Sequence, residues 1–239
     1  MTLPHSLSPA PHLRLVCFPA VCVALDVQKG TVQLFSEEAA RAVSHLRGTR
    51  GLTTTALLPS PVQERTFMAL VGAGVLIQGD NPGAWDSARP GVPSSPSWGT
   101  RDSPAALEPI PRASLRWYAL GSLALLAVLS GGLGGRRSAF TRTRRLVWKT
   151  TADATDHAVA LEAAHAVRKV GRLLPLRVAC WEEAAATSIA LRWAGYRSAF
   201  RHGAATDPVR LHAWVEVGGR AVAESDDITD YTPFEEPCE

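Results

Sequence analysis

Residues 176–233 join a helix that opens on a cysteine to a hairpin that carries a histidine. The run reads LRVACWEEAAATSIALRWAGY, then RSAFRHG, then LHAWVEVGGRAVAES, then YTP. Pro175 cannot continue the preceding helix, so a short turn leads to Val178, Ala179 and Cys180. From Cys180 the pattern is helical, with Ala184, Ile189, Leu191 and Trp193 apolar and Glu182 and Glu183 in the first turn. Gly195 suits a left-handed C-terminal cap. A helix N-terminus concentrates free N–H groups and partial positive charge, which favours a thiolate and can bind a developing oxyanion. A lone cysteine is more often a buried structural residue. The histidine tips the balance towards chemistry.

Residues 211–217 alternate strictly. Leu211, Ala213, Val215 and Val217 share one face; His212, Trp214 and Glu216 share the other. Gly218 and Gly219 turn the chain back through Arg220–Ser225, and turn length decides what meets His212. A three-residue loop with a glycine bulge pairs His212 with Glu224. A two-residue loop puts Ser225 opposite, and a four-residue loop puts Asp226 there, with one residue of offset absorbed by the turn. Glu224 is the first choice for the acid that orients the imidazole, and Asp226 the second. Asp227 and Asp230 read as solvated loop charges. A histidine beside a cysteine can take its proton and return it to a leaving amine.

The N-terminal third has a different texture. Leu13–Phe18, Val21–Leu25 and Thr31–Phe35 read as strands, with a turn over 26–30. Ser36 caps a helix with Glu37 and Glu38 in its first turn, and Gly48 stops it. A second helix starts at Ser60-Pro61, and Val75–Ile77 returns as a strand. The order β-β-β-α-α-β is that of a small winged-helix-like module over residues 1–80. A free edge at Thr31–Phe35 would let it take up an extended peptide as an added strand. From residue 79 the composition turns to Pro, Gly and Ser, and residues 81–114 read as a linker whose Trp85 and Trp98 either dock on a neighbouring surface or stand as solvent-tolerant aromatics. Residues 151–173 are helical, with Val159, Ala163, Val167 and Val170 on one face. His157 and His165 lie at no metal-binding spacing.

The bulk properties exclude more than they assign. At 239 residues and 46% hydrophobic, the chain can bury a core in one large domain or two small ones. A net charge of +3, with no basic stripe interleaved with aromatics, sets nucleic acid aside. Cys17, Cys22, Cys180 and Cys238 show neither zinc spacing nor a dense disulfide framework, which suits a reducing, cytoplasmic setting. The N-terminus, with no charged segment before an apolar run, does not read as a secretory signal. Residues 115–135 form the most apolar run, but only about fifteen are strongly apolar where a span needs about twenty. A buried or half-buried helix is preferred there. A membrane-associating helix, with Arg136, Arg137, Arg142, Arg144 and Arg145 at the lipid surface, is the second reading.

The series ACWEE, Asp207-Pro208, HAWVEV, the glycine hairpin, an acidic residue and YTP resembles the lasso-peptide maturation proteases. These are transglutaminase-like B proteins encoded beside a lasso cyclase. The resemblance covers about sixty residues, and although His-Ala-Trp is shared widely among transglutaminase-like folds, the whole series is not. It implies an α+β chain with a papain-like, transglutaminase-like cysteine protease domain over 115–239. Cys180 would be the nucleophile, His212 the base and Glu224 the acid, where the family often has Asp. Trp181 stands where the family usually has an aliphatic residue. The implied partners are the leader region of a lasso-peptide precursor and an ATP-dependent, asparagine-synthetase-like cyclase, with no cofactor of the chain's own. The N-terminal third resembles the winged-helix leader-recognition domain fused in some members, CVALDVQKGTVQLF standing for its second and third strands. Two rivals stay open: an acyltransferase using the same triad, and a non-catalytic scaffold that presents precursor to the cyclase.

Overall fold

The computed structural model describes residues 4–52, 61–79, 81–92, 110–131, 147, 156–206, 208–224 and 226–234, without the side chains of 82, 131, 226 and 227. The architecture is α+β. The chain divides into two compact units: residues 1–94 with 204–209 and 232–239, and residues 95–203 with 210–231.

The first unit is built on a sheet in the order β4-β3-β2-β6. Its strands are β2 (Leu13–Cys17), β3 (Cys22–Asp26), β4 (Thr31–Phe35) and β6 (Ala88–Pro90). Every residue of β2 and β3 is buried, whereas β4, at the edge, is largely exposed, including Val32 and Leu34. The turn between β3 and β4 forms because Asp26 Oδ1 accepts the backbone N–H of Gln28 and Lys29, at 2.9 and 2.8 Å, and Gly30 takes φ 65°. Helix α1 (Glu37–Gly48) lays Ala39, Ala40, Ala42, Val43 and Leu46 on the core. Ser36 stands at its N-cap position, but its hydroxyl caps no backbone N–H. Helix α2 (Pro61–Gly72) adds Phe67 and Leu70. Strands β1 (Leu7–Pro9) and β5 (Leu76–Gln78) make a separate antiparallel pair.

Four expectations change here. Strand β1 is too short and too interrupted by proline to show a period in the sequence. The chain past residue 80 is not linker at once. A 3-10 turn (Pro82–Ser87) and β6 follow, and β6 pairs parallel with β2. Trp85 is buried and its Nε1–H donates to Leu7 O at 3.2 Å. Gly51, at φ 87°, packs so closely that a Cβ there would lie 2.1 Å from that same Leu7 oxygen. Residues 93–109, with Trp98, lie outside the described residues. Cys17 and Cys22, read from the sequence as part of no dense disulfide framework, are register partners in the β2–β3 ladder and are joined as a disulfide. That bond takes away the support that the cysteine pattern lent to a reducing compartment. The element order is also richer than β-β-β-α-α-β, and the two-sheet topology does not by itself establish a winged helix.

The second unit packs α3 (Leu115–Gly131), α4 (His157–Leu173) and α5 (Cys180–Trp193) with strands β8 (Arg210–Val217) and β9 (Arg220–Ala221) and with residues 199–203 of β7 (Ala199–Ala205). Helix α3 buries Trp117, Ala124, Leu125 and Val128 and leaves Leu115, Leu123 and Leu126 exposed, as expected of a half-buried helix. Among the described residues no helix is long and apolar enough to cross a membrane. The basic run after α3 lies outside them. The core is rich in alanine: Ala160, Ala163, Ala164 and Ala166 on α4, and Ala184, Ala185, Ala186 and Ala190 on α5. Small side chains let helices approach closely, and a Cβ at Gly121 would lie 3.2 Å from Val167 Cγ2. The close packing leaves α5 little freedom to slide, which matters because α5 begins at Cys180.

Candidate active site

Asp156 caps α4, its Oδ1 accepting from Ala158 N–H at 3.0 Å. After Leu173 the chain bends over residues 174–176 and reaches Ala179, the N-cap residue of α5. Cys180 is therefore the first residue of the helix. Glu182 folds back to accept the Ala179 N–H at 3.1 Å, which fixes the entry angle of the chain. At the far end Gly195, φ 87°, closes a Schellman motif: Tyr196 N–H donates to Leu191 O at 2.9 Å and Gly195 N–H to Arg192 O at 3.0 Å. Both ends of α5 are thus defined by the residues that marked them in the sequence.

Strand β8 buries Ala213, Val215 and Val217. The face that carries His212 is built differently. Trp214 is buried too, lies nearly parallel to the imidazole at 11° and 6.1 Å, and sends its Nε1–H to Glu216 Oε1 at 2.9 Å. Tyr231 stands 5.3 Å from the imidazole. His212 Nε2 meets Glu224 Oε2 at 2.9 Å. The other ring nitrogen is left for Cys180, with which His212 also shares a hydrogen bond.

The structure brings Cys180, His212 and Glu224 together, but not by the register expected. Glu216 pairs with Ala221 and Val217 with Arg220, so the turn has two residues, Gly218 and Gly219, at φ 58° and 73°. Both central positions of such a turn need positive φ, which glycine supplies. The register persists through Val222 N–H, which donates to Val215 O at 2.9 Å. Continued, it would set Ser225 against His212. Instead Ala223 turns into the left-handed region at φ 57°, the ladder ends, and Glu224 swings to the imidazole. The side chain of Asp226, the second choice, lies outside the described residues, as does that of Asp227. Asp230 is not a solvated charge: its side chain is 13% exposed and lies 4.0 Å from Arg210. His157, read as carrying no ligand role, is part-buried and satisfied by Ala221 O at 3.1 Å.

Two residues of the site, Arg168 and Glu183, are in no candidate set. Arg168, on α4, donates Nη2–H to Glu224 Oε1 at 2.8 Å and Nη1–H to Ala223 O. Its Nε–H reaches Glu183 Oε2 at 3.4 Å. A signal was present: Arg168 continues the stripe Ala160, Ala164 at four-residue spacing, a guanidinium on a face of small buried residues. A cavity of about 40 Å³ lies among these groups, walled by Cys180, His212, Glu224, Arg168, Glu183 and Thr187.

The electrostatics favour an ion pair. Burial, the largest influence, pushes the Cys180 thiol up, but hydrogen bonds from His212 and from the backbone N–H of Ala213 and Trp181 bring it below its usual 9.0. Burial pulls His212 down, yet its bonds to Cys180 and Glu224, and their charges, raise it to about 9. Burial also lifts Glu183 above the ordinary carboxyl range, against the pull of Arg168. Below the thiol's lowered pKa the site is thiol and imidazolium. Above it the sulfur is a thiolate facing an imidazolium, until the ring deprotonates near pH 9. Such steps belong to the pair and not to either residue. Two pH profiles should therefore differ. Alkylation of Cys180 by iodoacetamide needs only the thiolate, so it should rise below pH 9 and stay high. Any reaction that also needs the imidazolium should fall on an alkaline limb near 9. An alkaline limb near 6.5 would show an unperturbed histidine.

Among the described residues no group of His, Cys, Asp and Glu could hold a metal ion. Cys180 and Glu224 each lie within hydrogen-bonding reach of His212, an arrangement compatible with acyl transfer through a thioester. Residues 123–236 match the profile of the transglutaminase-like superfamily, and the chain carries a domain of that kind there. No curated protein and no solved structure matches the chain.

Proposed function

We propose, from the transglutaminase-like domain at residues 123–236, that this protein is a cysteine peptidase that removes the leader from a lasso-peptide precursor. The domain is compatible with a protease or an acyltransferase. One observation carries the catalytic reading: a thiol at a helix N-terminus hydrogen-bonded to an imidazole whose far nitrogen is held by a carboxylate. The leader-peptidase reading adds the resemblance of the segment around Cys180 and His212 to lasso-peptide B proteins.

In this reading the Cys180 thiolate attacks the carbonyl at the leader–core junction. N–H groups at the start of α5 stabilise the oxyanion. The His212 imidazolium gives its proton to the leaving amine, and the neutral ring then activates the water that releases the acyl-enzyme. Glu224 holds the ring's tautomer throughout. The freed α-amine of the core peptide passes to an ATP-dependent, asparagine-synthetase-like cyclase. The reaction is assigned to the cytoplasm, where ribosomal precursors arise.

The first unit is assigned the leader. Its β4 edge is exposed over Thr31–Leu34, and a groove of about 460 Å³ beside Phe35 is lined by Ala39, Val62, Ala69 and Leu70. A peptide added along β4 would gain main-chain hydrogen bonds and set apolar side chains in that groove. Leu34→Asp, 57% exposed in the wild type, should weaken leader binding about tenfold or more without altering stability. Fluorescence anisotropy of a labelled leader checks this, and unchanged affinity would move the leader elsewhere.

Mass spectrometry of precursor incubated with the protein tests the reaction itself. Hydrolysis yields leader and core whose summed mass exceeds the precursor by one water. Transfer of the acyl group to an amine adds no water and supports the acyltransferase. Binding without any product, with cyclase and ATP supplied, leaves the scaffold.

A further inference from the structure

We infer that Arg168 is the positioning residue of this site: it holds the backbone kink at Ala223 and the carboxylate of Glu224, correcting a hairpin register that would otherwise leave His212 without its acid. The inference rests on the Cys180–His212–Glu224 reading and extends it to a residue outside the triad.

The two-residue turn sets 216 against 221 and 217 against 220. In that register Glu224 falls opposite Ala213, on the wrong face for His212, because strand side chains alternate. The mismatch is removed by one residue, Ala223, in a left-handed conformation that any Cβ disfavours. Such a conformation persists only where its surroundings impose it. Arg168 is the group that does so. Arg168 Nη1–H binds the carbonyl of Ala223, and Nη2–H binds Glu224 Oε1 at 2.8 Å. Glu224 Oε2 is left for His212 Nε2 at 2.9 Å. Each carboxylate oxygen has one partner, so rotation about the terminal bond would break both.

The guanidinium also has a third contact. Its Nε–H points to Glu183 Oε2 at 3.4 Å, one helical turn beyond Cys180 on the same helix. One planar fork thus ties the acid's segment to the helix that carries the sulfur. Lysine keeps the charge but has no fixed fork and cannot span three acceptors in set directions. Methionine keeps much of the volume and leaves Glu183 and Glu224 facing each other across the cavity with no cation between them.

The test reads the sulfur without any peptide substrate. In a Cys238→Ser background, with Cys17 and Cys22 bonded, Cys180 is the free thiol. Its iodoacetamide alkylation rate is followed against pH in the full chain. Arg168→Met should slow alkylation at neutral pH about tenfold, the equivalent of one pKa unit at the sulfur. Arg168→Lys should fall between the two. Glu224→Gln should slow it as much as Arg168→Met, and the double variant no further, because Arg168 acts through Glu224.

A wild-type rate and midpoint for Arg168→Met would overturn the inference, as would a double-variant loss equal to the product of the single losses. If Arg168→Met fails to fold by circular dichroism, wild-type behaviour of Arg168→Lys overturns it instead. A precursor that is cut normally by a chain lacking this coupling refutes Arg168's role and spares the peptidase. Coupling in a chain that cuts no precursor does the reverse.

Discussion

Cys180→Ala is expected to slow precursor cleavage about a million-fold, His212→Ala by about as much, and the double variant by no more than either. The expectation follows from the contacts. The thiol is below its usual 9.0 because His212 and two backbone N–H groups bond the sulfur, and the ring is raised to about 9 in part by that sulfur. Each residue owes its reactive form to the other, so removing one disables both. What remains is the binding of substrate and the N–H groups at the start of α5, which survive both substitutions. Single-turnover mass spectrometry measures the loss, and melting temperatures report the fold. Cys180 is only half-buried, so its truncation should shift the melting point by a few degrees at most, about 1 kcal/mol for a chain of this size. Cleavage surviving above about one per cent in Cys180→Ala would place the nucleophile elsewhere. Losses that multiply in the double variant would mean that the two residues serve different steps.

Local chemistry was legible in the sequence wherever one residue decides a conformation. Pro175 ends one helix, Cys180 begins the next and Gly195 closes it, and each does so in the structure. Strict alternation over 211–217 gave β8 its buried Ala213, Val215 and Val217. Trp214 escaped that rule because it hides against its neighbours while its N–H finds Glu216, so an alternating pattern did not mean an alternating burial. Hairpin length was misjudged for a similar reason. Two consecutive glycines suit both a two-residue turn and a bulged one, and Glu224 reached His212 through a kink at Ala223 that no periodicity records. Long-range partners were harder still. Arg168 and Glu224 are far apart in sequence, and so are Trp85 and Leu7. Nothing in either local segment shows the other. The disulfide hid in plain view: Cys17 and Cys22 flank a short turn between strands, and their direct opposition depended on a register that four apolar residues a side leave open.

Glu224→Gln should cost about ten-thousand-fold in cleavage, more than its mere distance from the sulfur suggests. Glu224 Oε2 accepts the Nε2–H of His212, which keeps the unprotonated nitrogen of the neutral ring towards Cys180. An amide in its place can offer an N–H to Nε2 instead. The neutral ring then carries its proton on the nitrogen facing the sulfur and cannot act as a base. The charge is lost with the geometry. Glu224 is among the groups that raise His212 to about 9, so the alkaline limb of the variant's profile should move down towards 6.5. The sign is unambiguous, since removing an anion beside a cation always lowers the cation's pKa. Glu224→Asp is the sharper comparison, because aspartate is often the acid in the proteins this segment resembles. Here the acid must bridge Arg168 on Oε1 and His212 on Oε2, and one methylene less lets it keep only one of them. Misplacement on that scale costs about a hundred-fold. The aspartate variant should therefore be slower than wild type while its alkaline limb stays well above 6.5, because the negative charge is still present. An aspartate variant as fast as wild type would show that the carboxylate acts through charge alone. A glutamine variant with an unmoved limb would show that Glu224 is not the group that raises the histidine.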